Sequence, residues 1–182
     1  MAGTDRRSFV IGATLAAGGL ALPRFAIGQS DRRPSVTIAV QQISNTASLE
    51  PLREQSNVGQ RIFYSFAETL TDNDWTGDLR RVPGLAEIWR RVDARTLELT
   101  LRQGVKFHNG DTLTAEDVVF SFWRYKAGQA KFIHDKTEKV DAVDPHLVRI
   151  TFKEPFVDFL DYLLPGANTI GWVVPKKYVE KV

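Results

Sequence analysis

The chain has 182 residues, of which 43% are hydrophobic and 25% are charged. This composition is typical of a globular protein with a packed core and excludes a disordered chain, and the length suits one ordinary domain rather than two. The formal net charge is +2, and residues 1–28 account for all of it, because Arg6, Arg7 and Arg24 stand against Asp5 alone. The near-neutral remainder argues against a nucleic-acid-binding protein, which would carry a concentrated basic face.

Residues 1–28 are predicted to be a twin-arginine-type signal peptide. Arg6 and Arg7 precede an apolar stretch from Val10 to Leu22, which is too short and too rich in glycine to span a membrane. Small residues then permit cleavage before Gln29. An ordinary secretory leader that happens to contain two arginines is the alternative.

Residues 29–182 are predicted to form the mature body. The chain has no cysteine, so neither a disulfide nor a lipid anchor on a cysteine is available to it. After signal cleavage we therefore expect a soluble periplasmic protein that depends on core burial for its stability.

The first strand candidate runs from Val36 to Val40, where large apolar residues alternate with smaller ones. A polar, turn-prone loop follows it, and loops at strand ends are common positions for binding groups. We predict that the ligand-binding residues are the polar side chains of this loop, Gln41, Gln42, Ser44 and Asn45. A solvated loop without a binding role is the alternative.

Two further elements follow along the chain. From Gln55 to Leu70 apolar residues recur at helical spacing, which predicts a helix with a core-facing stripe at Val58, Ile62, Phe66 and Leu70. After a turn-rich stretch, a compact apolar cluster is predicted at Leu85, Ala86, Ile88 and Trp89. The segment from Thr96 to Arg102 alternates leucines with polar residues, which predicts a half-buried strand whose outward Glu98 and Arg102 form a solvated face.

The stretch "VKFHNGDTLTAEDVVFSFW", residues 105–123, reads as a hairpin followed by a helix start. Asn109 and Gly110 suit a two-residue type I′ turn, and Thr114 with Asp117 suits a capping box. The predicted buried face of the helix comprises Val118, Val119, Phe122 and Trp123. His108 is predicted to be a hydrogen-bonding surface residue, with a ligand role as the alternative.

These motifs together resemble the family 5 solute-binding proteins of ATP-binding-cassette importers, the peptide and nickel group. The resemblance rests on "VPGLAEIW" and "RTLELTLRQGVKFHNGDTLTAEDVVFSF", which follow the family's pattern over residues 82–89 and 95–122. "SLEPL" resembles a family element that has aspartate where this chain has Glu50. The hairpin around Asp144 and the segment "VVPKKYVEKV" extend the likeness across residues 36–182.

The resemblance implies an α/β fold with a mixed sheet, similar to type II periplasmic binding proteins, with only part of the N-terminal lobe present and the second lobe absent. It implies a monomer that binds a peptide or similar small solute and delivers it to a membrane permease, without enzymatic activity or a cofactor. Peptide, metal chelate, haem and sugar cargoes all stay open. Since family members are much longer, we expect either a fragment of a longer protein or a truncated relative.

Two other functions are alternatives. A single-lobe remnant could act as a non-transporting interaction or chaperone-like module. An exported hydrolase is the weaker alternative, because the chain has no cysteine, its three histidines are scattered, and neither a G-x-S-x-G nor an H-E-x-x-H motif is present. The spacing of its side chains predicts no metal site.

Overall fold

The computed structural model describes residues 37, 39, 50–52, 59, 62–126, 128–165 and 170–181. The chain divides into two units, Met1–Ala39 and Val40–Val182, and the elements below belong to the second. In chain order they are β1 (Thr71–Asn73), β2 (Arg81–Pro83), β3 (Ala86–Asp93), β4 (Thr96–Leu101), α1 (Ala115–Arg124), α2 (Ala130–Lys136), β5 (Thr137–Asp144), β6 (Leu147–Phe152), a 3₁₀ helix (Val157–Leu163) and α3 (Lys176–Val179). None of the described helices is both long and apolar enough to cross a membrane.

A four-stranded sheet in the order β3-β4-β6-β5 forms the centre of the described fold. The predicted strand after Thr96 is confirmed as β4, and its leucines pair across the sheet, Leu97 with Ile150 and Leu99 with Val148. These four side chains are at most 1% exposed, because alternate residues of a strand point to the same side of the sheet. Helix α1 packs against β5 and β6. All strand pairings in the described ranges are antiparallel.

The outer face of the sheet carries a row of charges on four neighbouring strands. Arg90, Glu98, Arg149 and Asp141 are successive cross-strand partners. Glu98 accepts hydrogen bonds from Arg90 Nη2 at 2.6 Å and from Arg149 Nη2 at 2.8 Å. Glu98 is therefore only 7% exposed, so the predicted solvated face is wrong at this residue. The guanidinium groups cover the carboxylate, and their hydrogen bonds, that of Arg149 first, lower the pKa of Glu98.

Asp117 connects the beginnings of two helices. The predicted capping box is confirmed, since Asp117 Oδ2 accepts from the Thr114 N–H at 2.9 Å and from the Thr114 hydroxyl at 2.8 Å. Its other oxygen, Oδ1, accepts from the backbone N–H of Lys176, the first residue of α3, at 2.9 Å. Asp117 is 7% exposed, so these bonds are formed largely out of water.

The hairpin before α1 differs from the predicted type I′ turn. That turn requires positive φ at both central residues, but Gly110 has φ +89° and Asn109 does not have a positive φ. Instead, Phe107 N–H donates to Asp111 O at 2.8 Å and Gly110 N–H donates to Phe107 O at 2.9 Å, which closes a three-residue loop with a left-handed glycine. The Asn109 side chain hydrogen-bonds Asp111, which favours this longer loop.

The predicted helix from Gln55 to Leu70 is wrong in its second half. Ile62 and Phe63 are helical, but residues 64–66 form a turn and residue 69 forms an isolated bridge to Trp172. Phe63, at 0% exposure, occupies the core, whereas Phe66 is 37% exposed. The Ser65 hydroxyl donates to Ile62 O at 2.6 Å, and such local bonds compete with helix continuation.

Two further burial predictions are wrong. Ile88, assigned to an apolar cluster, is 58% exposed on β3, because it lies on the outer face of the sheet opposite Thr100. Trp123 is 42% exposed and Val119 is only partly buried, since α1 turns its Ala115, Val118 and Phe122 side toward the core. Helix α1 thus carries apolar residues on more than one side.

Gly84 is required by a close backbone approach beside β3. A Cβ atom at this position would lie 2.4 Å from the carbonyl oxygen of Thr69. The same carbonyl accepts the N–H of Leu85 at 2.9 Å, so the two segments cannot separate without losing a backbone hydrogen bond. This contact explains the glycine in "VPGLAEIW" by packing rather than by ligand binding.

We expect Asp117→Ala to lower the free energy of unfolding by about 2–3 kcal/mol, because it leaves buried N–H donors without an acceptor. Urea denaturation measures this loss. Glu116→Ala is the matched control, since Glu116 is exposed and its ion pair with Lys176 Nζ is of the surface type, contributing at most about 1 kcal/mol. Equal losses in the two variants would contradict the role of Asp117.

The lowered pKa of Glu98 predicts that folding stability depends on acidity. A carboxyl whose pKa is lower in the folded state stabilises the fold above its unfolded value, here 4.5, and loses that contribution as the pH falls through the folded pKa. We therefore expect Glu98→Gln to flatten the decline of the melting temperature below pH 4.5. The exposed Glu87→Gln is the control, and an unchanged slope for Glu98→Gln refutes the prediction.

Candidate functional site

The predicted ligand-binding residues Gln41, Gln42, Ser44 and Asn45 lie outside the described residues, as does most of the strand predicted before them. The loop therefore stays a prediction, and the site below is built from other segments. Sequence patterns did not identify these segments as a site, because they assigned Phe66 to a buried helix stripe and the hairpin to structural roles.

A cavity of about 460 Å³ opens beside the hairpin that precedes α1. This volume lies within the range of small-molecule pockets in proteins. Three chain segments supply most of its lining: the turn after Phe63, the hairpin that leads to α1, and the segment that leads to α3. The lining residues are Pro51, Tyr64, Ser65, Phe66, Ala67, Glu68, Leu85, Val105, Lys106, Phe107, His108, Leu113, Val173, Val174 and Pro175.

The cavity combines an apolar interior with a few polar groups. Leu85 and Leu113 are buried, while Val105 and Phe107 are half-buried and pack against the core. Glu68, Lys106 and His108 are the ionisable residues among the lining groups apart from Tyr64. A small number of polar groups around an apolar interior can orient a ligand while its apolar parts leave water.

His108 connects the hairpin to the turn at residues 64–67. Its Nε2 lies 2.9 Å from the carbonyl oxygen of Phe66, and because a carbonyl only accepts, Nε2 carries the hydrogen. The prediction of a hydrogen-bonding surface histidine is confirmed. The bond fixes the position of Phe66, whose ring forms part of the cavity wall.

Aromatic contacts also hold the turn at residues 64–67 in place. Tyr64 packs edge-to-face against Trp172 at 5.8 Å and Trp75 at 6.0 Å between ring centroids, and Phe63 contacts Phe66 at 5.7 Å. Burial, and secondarily the charge of Asp72, raises the pKa of Tyr64. The phenol is therefore protonated at neutral pH and can donate a hydrogen bond.

The residues of the described ranges include no group of three or more His, Cys, Asp or Glu side chains that could hold a metal ion. With these groups the cavity can bind a small ligand, because it offers apolar surface, a phenol donor and charges of both signs at its rim.

Residues 80–181, more than half of the chain, match the family model of bacterial extracellular solute-binding proteins, family 5 Middle. The chain is 33% identical to di/tripeptide-binding protein 2 of Pseudomonas aeruginosa strain UCBPP-PA14, over 52% of this chain and 22% of that protein. It is 28% identical to the periplasmic oligopeptide-binding protein OppA of Escherichia coli K12, over the whole of this chain and 37% of that protein. The chain thus spans well under half the length of these curated relatives.

The fold is similar to that of solved binding proteins. The structure of Haemophilus influenzae OppA in complex with RPPGFSPFR superposes with a TM-score of 0.63 at 25% identity, over 74% of this chain and 29% of that one. Together with the sheet and helices described above, this likeness confirms the predicted α/β class and its relation to type II periplasmic binding proteins.

Proposed function

Because the chain belongs to family 5 of the bacterial extracellular solute-binding proteins, we propose that it captures short peptides or similar small solutes for an ATP-binding-cassette importer. This proposal rests on the family match across residues 80–181, a range that includes the hairpin beside the cavity. The names of two relatives, a di/tripeptide-binding and an oligopeptide-binding protein, favour peptides as the cargo.

The proposal places the mature protein in the periplasm, as a soluble monomer that delivers its cargo to a membrane permease. The predicted signal peptide and the periplasmic relative from Escherichia coli support this location. Transfer of a bound solute requires no bond to be made or broken. The proposed role is therefore binding without catalysis, which agrees with relatives that are named as binding proteins.

We assign the cavity beside the hairpin to an apolar side chain of the bound solute. Removing apolar surface from water yields about 25 cal/mol for each Å², so one large side chain can contribute most of the affinity of a weak ligand. The Tyr64 hydroxyl and the rim charges of Glu68 and Lys106 would hold polar groups of the solute. Such a pocket accepts different apolar side chains, which suits a carrier of varied peptides.

Phe66→Ala is expected to reduce tripeptide binding about tenfold, because it removes a wall of the cavity while its exposed position limits the effect on folding. The measurement is native mass spectrometry of the purified chain in an equimolar tripeptide library. Ile88→Ala, on the outer face of the sheet, is the matched control for loss of an exposed apolar side chain.

The proposal is supported if the parent chain and the Ile88→Ala control both retain tripeptides with large apolar residues. A parent chain that retains no tripeptide refutes peptide capture, and equal retention by Phe66→Ala refutes the assignment of this cavity.

A further inference from the structure

Three aromatic residues line the cavity beside the hairpin that precedes α1. They are Tyr64, Phe66 and Phe107. Tyr64 is 44% exposed, Phe66 is 37% exposed and Phe107 is half-buried, so none of the three is fully enclosed by the rest of the fold. Aromatic surface at the same cavity is therefore left open to contact with a bound solute.

Two of these residues belong to a continuous array of aromatic rings. Each ring contacts the next edge-to-face, with centroids 5.7 to 6.0 Å apart and interplanar angles of 72° to 84°. In order along the array they are Trp75, Tyr64, Trp172, Phe63 and Phe66. This geometry is favoured because the edge of an aromatic ring is electropositive and its face is electronegative.

The array is anchored in the core. Trp172 is 1% exposed and Phe63 is 0% exposed, and they contact Tyr64 and Phe66 respectively. The carbonyl oxygen of Phe66 is also held by His108 Nε2 at 2.9 Å. The Tyr64 and Phe66 rings are therefore in place before a ligand arrives, which reduces the entropy lost on binding.

The remainder of the lining restricts what can occupy the cavity. Its buried part includes Leu85 and Leu113, at 6% and 1% exposure, which offer no hydrogen-bonding side chain. At the rim, Glu68 pairs with Arg102 at 3.7 Å. A charged side chain placed against the two leucines would lose its hydration without compensation. An aliphatic side chain would avoid this loss but would form no contact between rings.

We infer that the cavity selects peptides with an aromatic side chain over peptides whose side chain is aliphatic and of similar size. The inference rests on the proposed capture of peptides and names the class of peptide that this cavity prefers. The aromatic side chain contacts the rings of Tyr64 and Phe66. Such contacts strengthen binding about two- to tenfold beyond the effect of the buried area. Aliphatic side chains also enter, with lower affinity.

Three tripeptides test this preference in the purified chain: Ala-Phe-Ala, Ala-Leu-Ala and the analogue with cyclohexylalanine at the central position. The cyclohexyl side chain has the carbon skeleton of phenylalanine and is more apolar, but it lacks the π-system. Apolar burial alone therefore predicts that the cyclohexyl peptide binds at least as tightly as Ala-Phe-Ala. We expect Ala-Phe-Ala to bind about two- to tenfold more tightly by isothermal titration calorimetry.

The substitutions Phe66→Leu and Tyr64→Leu keep an apolar wall but remove a ring. At least one of them is expected to bring the affinity ratio of Ala-Phe-Ala to the cyclohexyl peptide close to one, while binding of Ala-Leu-Ala changes less than about twofold. Phe132→Leu is the matched control, because Phe132 is 42% exposed on α2 and does not line the cavity. This control is expected to keep the ratio of the parent chain.

The outcomes separate the inference from the proposed function. If the parent chain binds none of the three tripeptides, peptide capture is refuted and the aromatic preference with it. If the chain binds them but the cyclohexyl peptide binds as tightly as Ala-Phe-Ala, or if the ratio survives in both Phe66→Leu and Tyr64→Leu, the aromatic preference alone is overturned.

Discussion

The attachment of the α3 segment to helix α1 is the constraint on which the cavity depends. Asp117 accepts the N–H of Lys176, and Ser121, one helical turn further, accepts the N–H of Val174 at 3.0 Å. Both α1 residues are buried, at 7% and 1% exposure, so water cannot easily replace these bonds. The segment 173–175 that they hold forms one wall of the cavity, and the hairpin that precedes α1 forms another. The residue that caps α1 therefore also positions the segment 173–175, which is distant along the chain.

The sheet provides the rigid support for this arrangement. Its inner face is a continuous apolar layer, whereas its outer face is a charge row in which Glu98 lies between two arginines. The carbonyl oxygen of Pro145, in the turn between β5 and β6, accepts a hydrogen bond from the N–H of Ala115 at 2.8 Å. This bond fixes the start of α1 against the end of β5. The capping residue Thr114 is thus placed by the sheet on one side and by Asp117 on the other.

Much of this fold could be predicted from residue patterns where local and tertiary preferences agree. The alternating leucines of β4 and the Thr114 cap follow from spacing alone, and the hairpin around Asp144 follows from the resemblance to the family. The end of the helix after Phe63 could not be read from apolar periodicity, because the Ser65 hydroxyl and the bridge at Thr69 redirect the chain. The alternating pattern of β4 predicts a solvent-exposed Glu98. It misses the burial of this residue, because that burial depends on arginines from two other strands. The exposure of Trp123 likewise depends on which side of α1 meets the sheet.

Sequence patterns could not predict the cavity, since most of its lining comes from three segments that are distant along the chain and are connected by His108 and Asp117. The most direct test of the account is hydrogen–deuterium exchange of the purified chain with and without a retained tripeptide. We expect slower exchange at residues 64–67, 105–113 and 173–176, which supply most of the cavity lining, with little change in the β5–β6 hairpin. Protection confined to other segments, or none at all, would contradict the assignment of this cavity as the solute site.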